Sequence, residues 1–233
     1  MKKKILVTRR LLKENEEKLK EIFDVKLNSK DELYTSEKIL ELSRDCDGIL
    51  SAITDQINKE LIEKLPLSIK IIANFAVGFG NIDINAANKK NIIITNTPEV
   101  LDDSTADISI LLLLGASRKV LEARRAAELQ NWKWSADFML GKQMSNKRLG
   151  ILGMGRIGRA VAKRARGFNM EIHYHNRNPL SKDLEGGAIY HKTLKDLFNC
   201  SDFLSINCPA TKETNKIINK ETIAFLPDNV VIG

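Results

Sequence analysis

Three glycines in the second half of the chain have a spacing that can bind phosphate. The run Leu149–Gly158 reads LGILGMGRIG, with Gly153, Gly155 and Gly158 at its end. The first glycine allows a tight turn, the second lets a pyrophosphate approach the backbone, and the third lets a helix pack closely on a strand. A strand-like segment precedes the run and a helix-like segment follows, whose N-terminus attracts anions. The run predicts a dinucleotide-binding site.

The residues after the next strand pattern, 170–175, bear on which dinucleotide binds. An acidic residue about 20 positions after the glycines would hold the ribose 2′-hydroxyl of NAD. This chain instead has Asn176, Arg177 and Asn178 there. A carboxylate would repel a 2′-phosphate, whereas asparagine can donate hydrogen bonds to it and arginine can pair with it. We predict NADP(H) over NAD(H); in the alternative, Arg177 is only solvated or stacks on adenine.

Two runs of alternating strand and helix patterns must position these residues. The predicted strands of the first run are 4–7, 24–27, 48–52, 69–74 and 91–95, and its predicted helices are 11–23, 36–44, 59–65 and 84–89. Strands joined by helical crossovers form a parallel sheet that is covered on both faces. The first run therefore predicts the N-terminal part of an α/β domain.

The second run follows a long predicted helix, 103–128, that Asp102, Asp103 or Ser104 could cap. Its predicted strands are 148–152, 170–175, 202–207 and 229–232, and its predicted helices start at 156, 194 and 220. The fold class is α/β, with two doubly wound parallel-sheet domains at 1–97 and 98–233. The sequence stops after a strand that should line the cofactor crevice, so we expect a fragment with an incomplete second domain.

Composition excludes several classes of protein. The chain has 233 residues, 43% of them hydrophobic and 29% charged, which is typical of a soluble globular protein of one to two domains. Its net charge of +7 is scattered, which favours anionic ligands over nucleic acid. No signal-peptide core is present, and the longest apolar stretch, 108–116, is too short to span a bilayer. We predict a cytoplasmic protein with no membrane partner.

The spacing of the cysteines and histidines indicates neither a metal-binding site nor a catalytic site. Cys46, Cys200 and Cys208 are odd in number and lack metal-ligand spacing, so we predict reduced thiols in or near the core and no metal. The histidines at positions 173, 175 and 191 flank the second strand of the cofactor half. We interpret them as structural or surface residues rather than as the catalytic acid.

Four blocks of sequence together resemble the D-isomer-specific 2-hydroxyacid dehydrogenase family, most nearly its glyoxylate/hydroxypyruvate reductases. The blocks are 76–83, 96–107, 149–158 and 201–214, in that order and spacing. The resemblance implies a flavodoxin-like substrate domain followed by a Rossmann cofactor domain. It also implies an enzyme that reduces a small 2-oxo acid, glyoxylate or hydroxypyruvate, to the D-2-hydroxy acid by hydride transfer from NAD(P)H.

The resemblance further implies roles for individual residues. The backbone N–H groups of Val77 and Gly78 would hold the substrate carboxylate. On the cofactor side, Thr105 would lie near the nicotinamide, Arg156 and Ile157 would meet the pyrophosphate, Asn176, Arg177 and Asn178 would surround the ribose, and Cys208 and Pro209 would line the pocket. Simpler interpretations are a turn for Gly78, a helix start for Thr105 and a small buried residue at Cys208.

The family's catalytic set is an arginine, a histidine and a glutamate that orients the histidine. The resemblance implies that all three follow the strand ending at Gly233, so we assign no catalytic residue here and expect residues 1–233 to be inactive alone. Two alternatives are an NAD-dependent enzyme like D-3-phosphoglycerate dehydrogenase and a non-catalytic NAD(H)-sensing protein like the family's corepressor. A downstream arginine, glutamate and histidine would favour an enzyme.

The connection at 128–140 predicts assembly. It contains Trp132, Trp134, Phe138, Met139 and Leu140 where a connection should be polar. Exposed apolar patches mark contact sites, and the resemblance implies an arm that wraps a two-fold partner. We predict a homodimer, unless the tryptophans pack on their own subunit.

Overall fold

A computed structural model describes residues 1–130 and 133–233, which form two compact units, Met1–Val100 and Leu101–Gly233. Each unit contains one five-stranded sheet, and every strand pair in both sheets is parallel. The fold class predicted from sequence is therefore confirmed. The division at Val100 falls shortly after the predicted domain limit at residue 97.

The sheet of the first unit has the order β2-β1-β3-β4-β5, which is the flavodoxin-like order. Its strands are β1 (Lys4–Val7), β2 (Asp24–Lys26), β3 (Gly48–Ala52), β4 (Ile71–Phe75) and β5 (Ile93–Thr95), and its helices are α1 (Lys13–Ile22), α2 (Ser36–Leu42), α3 (Lys59–Lys64) and α4 (Ile84–Lys89). Three helices start at a side chain that accepts a first-turn N–H, from Thr35, Asn58 and Asp83. Their apolar faces cover Ile49 and Ile72 of the sheet.

The second unit begins with two helices and continues as an alternating β/α run. Its elements are α5 (Asp102–Ser117), α6 (Val120–Glu128), β6 (Arg148–Leu152), α7 (Arg156–Arg166), β7 (Glu171–His175), α8 (Lys182–Glu185), β8 (Ile189–Tyr190), α9 (Leu194–Cys200), β9 (Phe203–Ile206), α10 (Lys220–Ile223) and β10 (Val231–Ile232). The strand order is β10-β9-β6-β7-β8, so the chain winds outward in opposite directions from β6 and β9. That point of reversal is where doubly wound sheets bind ligands.

The core of the second unit lies on both faces of its sheet. On one face, Leu113 of α5 and Val161 of α7 are buried with Ile151 of β6. On the other face, Leu197 and Phe198 of α9 are buried with other apolar side chains. Both faces must be apolar because helices cover them, and this explains the near-continuous apolar strands in the sequence.

The prediction of one helix over 103–128 was wrong. The helix breaks at Lys119, whose backbone is left-handed with φ 53° and which separates α5 from α6. The returning chain contributes to this break, because the Lys142 N–H donates to the Ser117 carbonyl over 2.8 Å. No glycine or proline marks the break, so the sequence carried no signal of it.

The predicted helix caps were also wrong. The N-cap residue of α5 is Leu101, and no side chain caps the helix there. The Ser104 hydroxyl donates to the Leu101 carbonyl instead, while Asp102 and Asp103 lie within the first turn. The short elements α8 and β8 were missed because each spans too few residues to show a period. Among the described residues, no helix is long and apolar enough to cross a membrane.

Candidate functional site

The glycine turn lies at the carboxyl ends of β6 and β9. Gly153 has φ 95°, a conformation that L-residues with side chains rarely adopt. A Cβ added there would lie 2.5 Å from the Cys208 backbone nitrogen, because the chain leaving β9 passes directly beside the turn. Glycine is therefore required at this position by both the backbone conformation and the space.

The other two glycines differ from each other in what surrounds them. A Cβ on Gly158 would overlap the Gly153 carbonyl oxygen, so this glycine lets α7 pack against the end of β6. A Cβ on Gly155 would meet no atom within 4 Å. Gly155 is exposed at the N-terminus of α7, and no neighbouring atom in the described part of the chain requires glycine there.

The N-terminus of α7 offers unpaired donors beside Gly155. Within the described residues, the backbone N–H groups of Gly155 and Ile157 donate to no acceptor in the chain. These N–H groups and the helix dipole favour an anion at this point. Arg156 is exposed in the same turn and adds a positive charge. A diphosphate fits the open space, the free N–H groups and the charge of this turn.

Asn176 connects the glycine turn to the end of β7. Its side-chain oxygen accepts the Met154 backbone N–H over 2.7 Å, so its amide NH2 points away from the turn. Arg177 and Asn178 follow and are exposed. Arg177 also lowers the pKa of Glu213, after larger contributions from the Thr211 hydroxyl and the Glu213 backbone N–H. Amide and guanidinium donors, but no carboxylate, therefore stand at the end of β7.

Two further predicted residues lie on the other side of the turn, after β9. The Cys208 backbone is the one that Gly153 approaches, and Pro209 is exposed beside it. Burial raises the pKa of the Cys208 thiol, which keeps it protonated near neutral pH and unsuited to be a nucleophile. The Pro209 carbonyl accepts the Thr214 hydroxyl over 2.6 Å, which fixes the loop that follows.

Thr105 lies in the first turn of α5, half-buried. Its position is set by α7, because Arg164 forms ion pairs with Asp103 at 3.1 Å and with Asp107 at 2.5 Å. The Thr105 carbonyl accepts the Ser109 hydroxyl over 2.9 Å. These contacts fix the first turn of α5. Among the described residues, the Thr105 hydroxyl has no hydrogen-bond partner.

In the first unit, Val77 and Gly78 form a loop after β4. The carbonyl groups of both residues accept hydrogen bonds from asparagine side chains. The Val77 carbonyl accepts the Asn96 side-chain amide over 2.7 Å, and the Gly78 carbonyl accepts the Asn74 amide over 3.0 Å. Within the described part of the chain, the N–H groups of Val77 and Gly78 have no acceptor. A Cβ on Gly78 would meet nothing within 4 Å, so the loop is open there. Two free N–H groups in an open loop suit a carboxylate.

A buried amide network supports this loop. Asn74 is only 2% exposed, and its side chain accepts the Ser51 hydroxyl over 3.0 Å while donating to Gly78. Asn81 accepts from Asn74 and donates to the Ala52 carbonyl, which ties the loop to the end of β3. Asn74 and Asn96 were not among the site residues predicted from the sequence. The available signal was an amide side chain near the carboxyl end of a strand, beside a glycine-containing loop.

Comparisons with known proteins identify the fold and the relatives of this chain. Residues 110–232 match the family model described as the NAD-binding domain of D-isomer specific 2-hydroxyacid dehydrogenases. A glyoxylate reductase of Korarchaeum cryptofilum is 41% identical over 238 residues, covering 100% of this chain and 70% of that protein. A glycerate dehydrogenase of Hyphomicrobium methylovorum is 35% identical over 234 residues, covering 99% of this chain and 73% of that protein.

A solved structure of a glyoxylate reductase from Paecilomyes thermophila superposes with a TM-score of 0.87 at 34% identity. The match covers 99% of this chain and 72% of that one. Sequence and fold therefore agree on the same relatives over the whole of the chain.

Proposed function

This chain belongs to the D-isomer-specific 2-hydroxyacid dehydrogenase family, and from that premise we propose that it reduces a small 2-oxo acid to its 2-hydroxy acid. The proposed substrates are glyoxylate and hydroxypyruvate, since the relatives include glyoxylate reductases and a glycerate dehydrogenase. The observation that carries the proposal is the open turn at Gly155, with its unpaired N–H groups at the point of sheet reversal. The free thiols of Cys46, Cys200 and Cys208 accord with a cytoplasmic location.

A nicotinamide cofactor supplies the hydride when it is bound. The chain's own residues bind and orient it: Gly155 and Ile157 offer N–H groups to the pyrophosphate, and Arg156 adds charge. Cys208 and Pro209 would line the cofactor pocket through their backbone, and the Thr105 hydroxyl would lie near the nicotinamide. Such positioning contributes to catalysis by fixing the direction of approach.

We propose NADP(H) as the preferred cofactor. The Asn176 amide NH2 and the Arg177 guanidinium are donors that suit a 2′-phosphate, and Asn178 lies beside them. A bound NAD(H) would find no carboxylate among these three residues for its 2′-hydroxyl.

The experiment that tests the function is cofactor oxidation by the full-length protein, followed by absorbance. Glyoxylate and hydroxypyruvate should oxidise NADPH, and 3-phosphohydroxypyruvate should do so much more slowly. Preference for the phosphorylated acid would favour a phosphoglycerate dehydrogenase-like enzyme. Tight NADPH binding without turnover of any of these acids would favour a sensing protein, and failure to bind either cofactor would refute the site itself.

We propose that the Val77–Gly78 loop holds the substrate carboxylate. An Asn74→Ala variant removes the donor to the Gly78 carbonyl and leaves a buried network unsatisfied. The expected results are a rise of about tenfold in the KM for glyoxylate, and a loss of about 1–3 kcal/mol in the free energy of unfolding. Initial-rate kinetics and chemical denaturation measure the two effects.

The matched control is Asn85→Ala, which removes an exposed amide from α4 in the same unit. It should leave both quantities unchanged. NADPH affinity should be unaffected in both variants, because the cofactor turn belongs to the second unit. A KM unchanged in a stably folded Asn74→Ala protein would remove this loop from the substrate site.

We propose a homodimer formed through the second unit. Several apolar side chains of α5, α6 and the following connection are exposed, with Trp134 at 83% and Leu121 at 70%. Leu111, Leu112 and Leu140 are exposed as well. An apolar surface of this extent is rare on a monomer and typical of an interface. Trp132, named with Trp134 in the sequence prediction, lies outside the described residues.

A Leu121→Glu, Trp134→Ala double variant should convert a dimer into a monomer at micromolar concentration, since it places a charge in the apolar contact. Size-exclusion chromatography with light scattering gives the mass. Leu67→Glu is the control, because Leu67 is equally exposed in the first unit. A monomeric wild-type protein, or a double variant that stays dimeric, would contradict the proposed interface.

A further inference from the structure

Two histidines and a cysteine that are distant in sequence meet in the second unit, on the sheet face that α9 covers. His173 lies in the middle of β7, His191 follows β8, and Cys200 ends α9. One ligand atom from each lies within 4.8 Å of the other two. His173 is 6% exposed, and the other two residues are half-buried. We call these three residues the His173–His191–Cys200 cluster.

The distances from His191 to the other two ligand atoms are close to those of a metal site. Tetrahedral zinc, with bonds of about 2.0–2.1 Å to nitrogen and 2.3 Å to sulfur, places N and S about 3.6 Å apart and two N atoms about 3.4 Å apart. The distance from Cys200 Sγ to His191 Nε2 is 3.5 Å. The distance from His173 Nδ1 to His191 Nε2 is 2.8 Å, so these rings need to separate by only about half an ångström.

A carboxylate already orients the buried histidine. His173 Nε2 is 2.5 Å from Glu171 Oε1, so the Nε2–H donates to the carboxylate and the Nδ1 lone pair faces the cluster. Carboxylate–histidine–metal triads use this arrangement to fix the tautomer of a ligand.

We propose that the His173–His191–Cys200 cluster binds a zinc ion through His173 Nδ1, His191 Nε2 and Cys200 Sγ, with water in a fourth position. Zinc binds the thiolate, so binding releases the proton of the Cys200 thiol to solvent. It also moves the proton of His191 from Nε2 to Nδ1. The Glu171 carboxylate acts as a positioning group through His173.

The site is separate from the cofactor turn. His173 pairs with Gly150 in the middle of β6, whereas the turn follows Leu152 at the carboxyl end. Cys200 lies on the side of Arg148, where β6 begins. The ion would therefore link β7, the end of β8 and α9 without touching the glycines. Its expected effect is on stability, not on hydride transfer.

Metal titration of the reduced, chelator-treated protein tests the proposal. Cobalt(II) should bind one equivalent and give a thiolate charge-transfer band, and zinc should displace it and raise the Tm. Cys200→Ser should abolish the band and weaken zinc by at least about a hundredfold in competition with a chromogenic chelator. Cys46→Ala, which removes a buried thiol from the first unit, should behave as wild type.

Two further variants test the same proposal if Cys200→Ser does not fold. Glu171→Gln should keep the cobalt band and weaken zinc by about tenfold, as loss of an orienting partner does. His191→Gln should lose one nitrogen ligand and weaken zinc far more. Wild-type protein that gives no cobalt–thiolate band, or variants that bind zinc as tightly as wild type, would show that the cluster is only a hydrogen-bonded chain.

Discussion

A Gly153→Ala variant is expected to lose about 2–5 kcal/mol in the free energy of unfolding. About 1–2 kcal/mol arises from placing an L-residue at positive φ, and about 1–3 kcal/mol from the overlap with the Cys208 backbone. The turn cannot relax freely, because the Gly153 N–H donates to the His175 carbonyl over 3.0 Å. Chemical denaturation measures the loss, and NADPH binding should fall with it.

Gly155→Ala separates binding from stability. Its φ of −77° suits alanine and its Cβ would point into open space, so we expect a stability change within about 1 kcal/mol. The methyl group would occupy the space that a pyrophosphate needs, and the Kd for NADPH should rise at least about tenfold. Fluorescence titration gives the Kd.

The control for both variants is Gly115→Ala in α5, where a Cβ meets no atom within 4 Å and the backbone is helical. It should be neutral or stabilising by up to about 1 kcal/mol, with normal cofactor binding. Unchanged NADPH affinity in Gly155→Ala would mean that no phosphate approaches this backbone. A Gly153→Ala protein as stable as wild type would contradict the close passage of the two strand ends.

The sequence predicted the sheet architecture well because strand periods and helix starts are local signals. Most strand bounds differ from the predicted ones only at their ends, as at β4 and β9, where pairing with neighbours decides the last residue. The break at Lys119 depends on a contact from Lys142, which no local pattern encodes. Local sequence patterns predict which helices and strands form, whereas contacts between distant residues determine where those elements end.

The same distinction holds for the candidate site. The glycine spacing and the Asn176–Arg177 pair are contiguous and could be recognised. Asn74 and Asn96 lie 22 positions apart and act on one loop only because β4 and β5 are neighbours in the sheet. His173, His191 and Cys200 likewise lack a metal-binding spacing, and parallel pairing of β7 with β8 brings the first two together. Sites assembled across strands need the topology as well as the sequence.

Arg177→Ala is expected to weaken NADPH much more than NADH. A charge-assisted pair with the 2′-phosphate is worth about 1.5–3 kcal/mol, which corresponds to roughly a 10- to 150-fold rise in the Kd for NADPH. NADH lacks that phosphate, so its Kd should change little. Lys163→Ala, which removes an exposed positive charge from the last turn of α7, is the matched control for net charge.

Added salt should reduce the contribution of Arg177 to NADPH binding, because it screens the charges of the guanidinium and the 2′-phosphate. Arg177 is exposed, and its charge interacts with that of Glu213. Added salt should therefore weaken its ion pair with the 2′-phosphate and reduce the difference between the Kd values for NADPH and NADH. Titrations of wild type and both variants at low and physiological ionic strength measure this. Equal losses for NADPH and NADH in Arg177→Ala would mean that the side chain serves the adenosine as a whole, by stacking on the ring. A wild-type preference for NADH would refute the 2′-phosphate proposal, because the donors at Asn176 and Arg177 would then have no anion to bind.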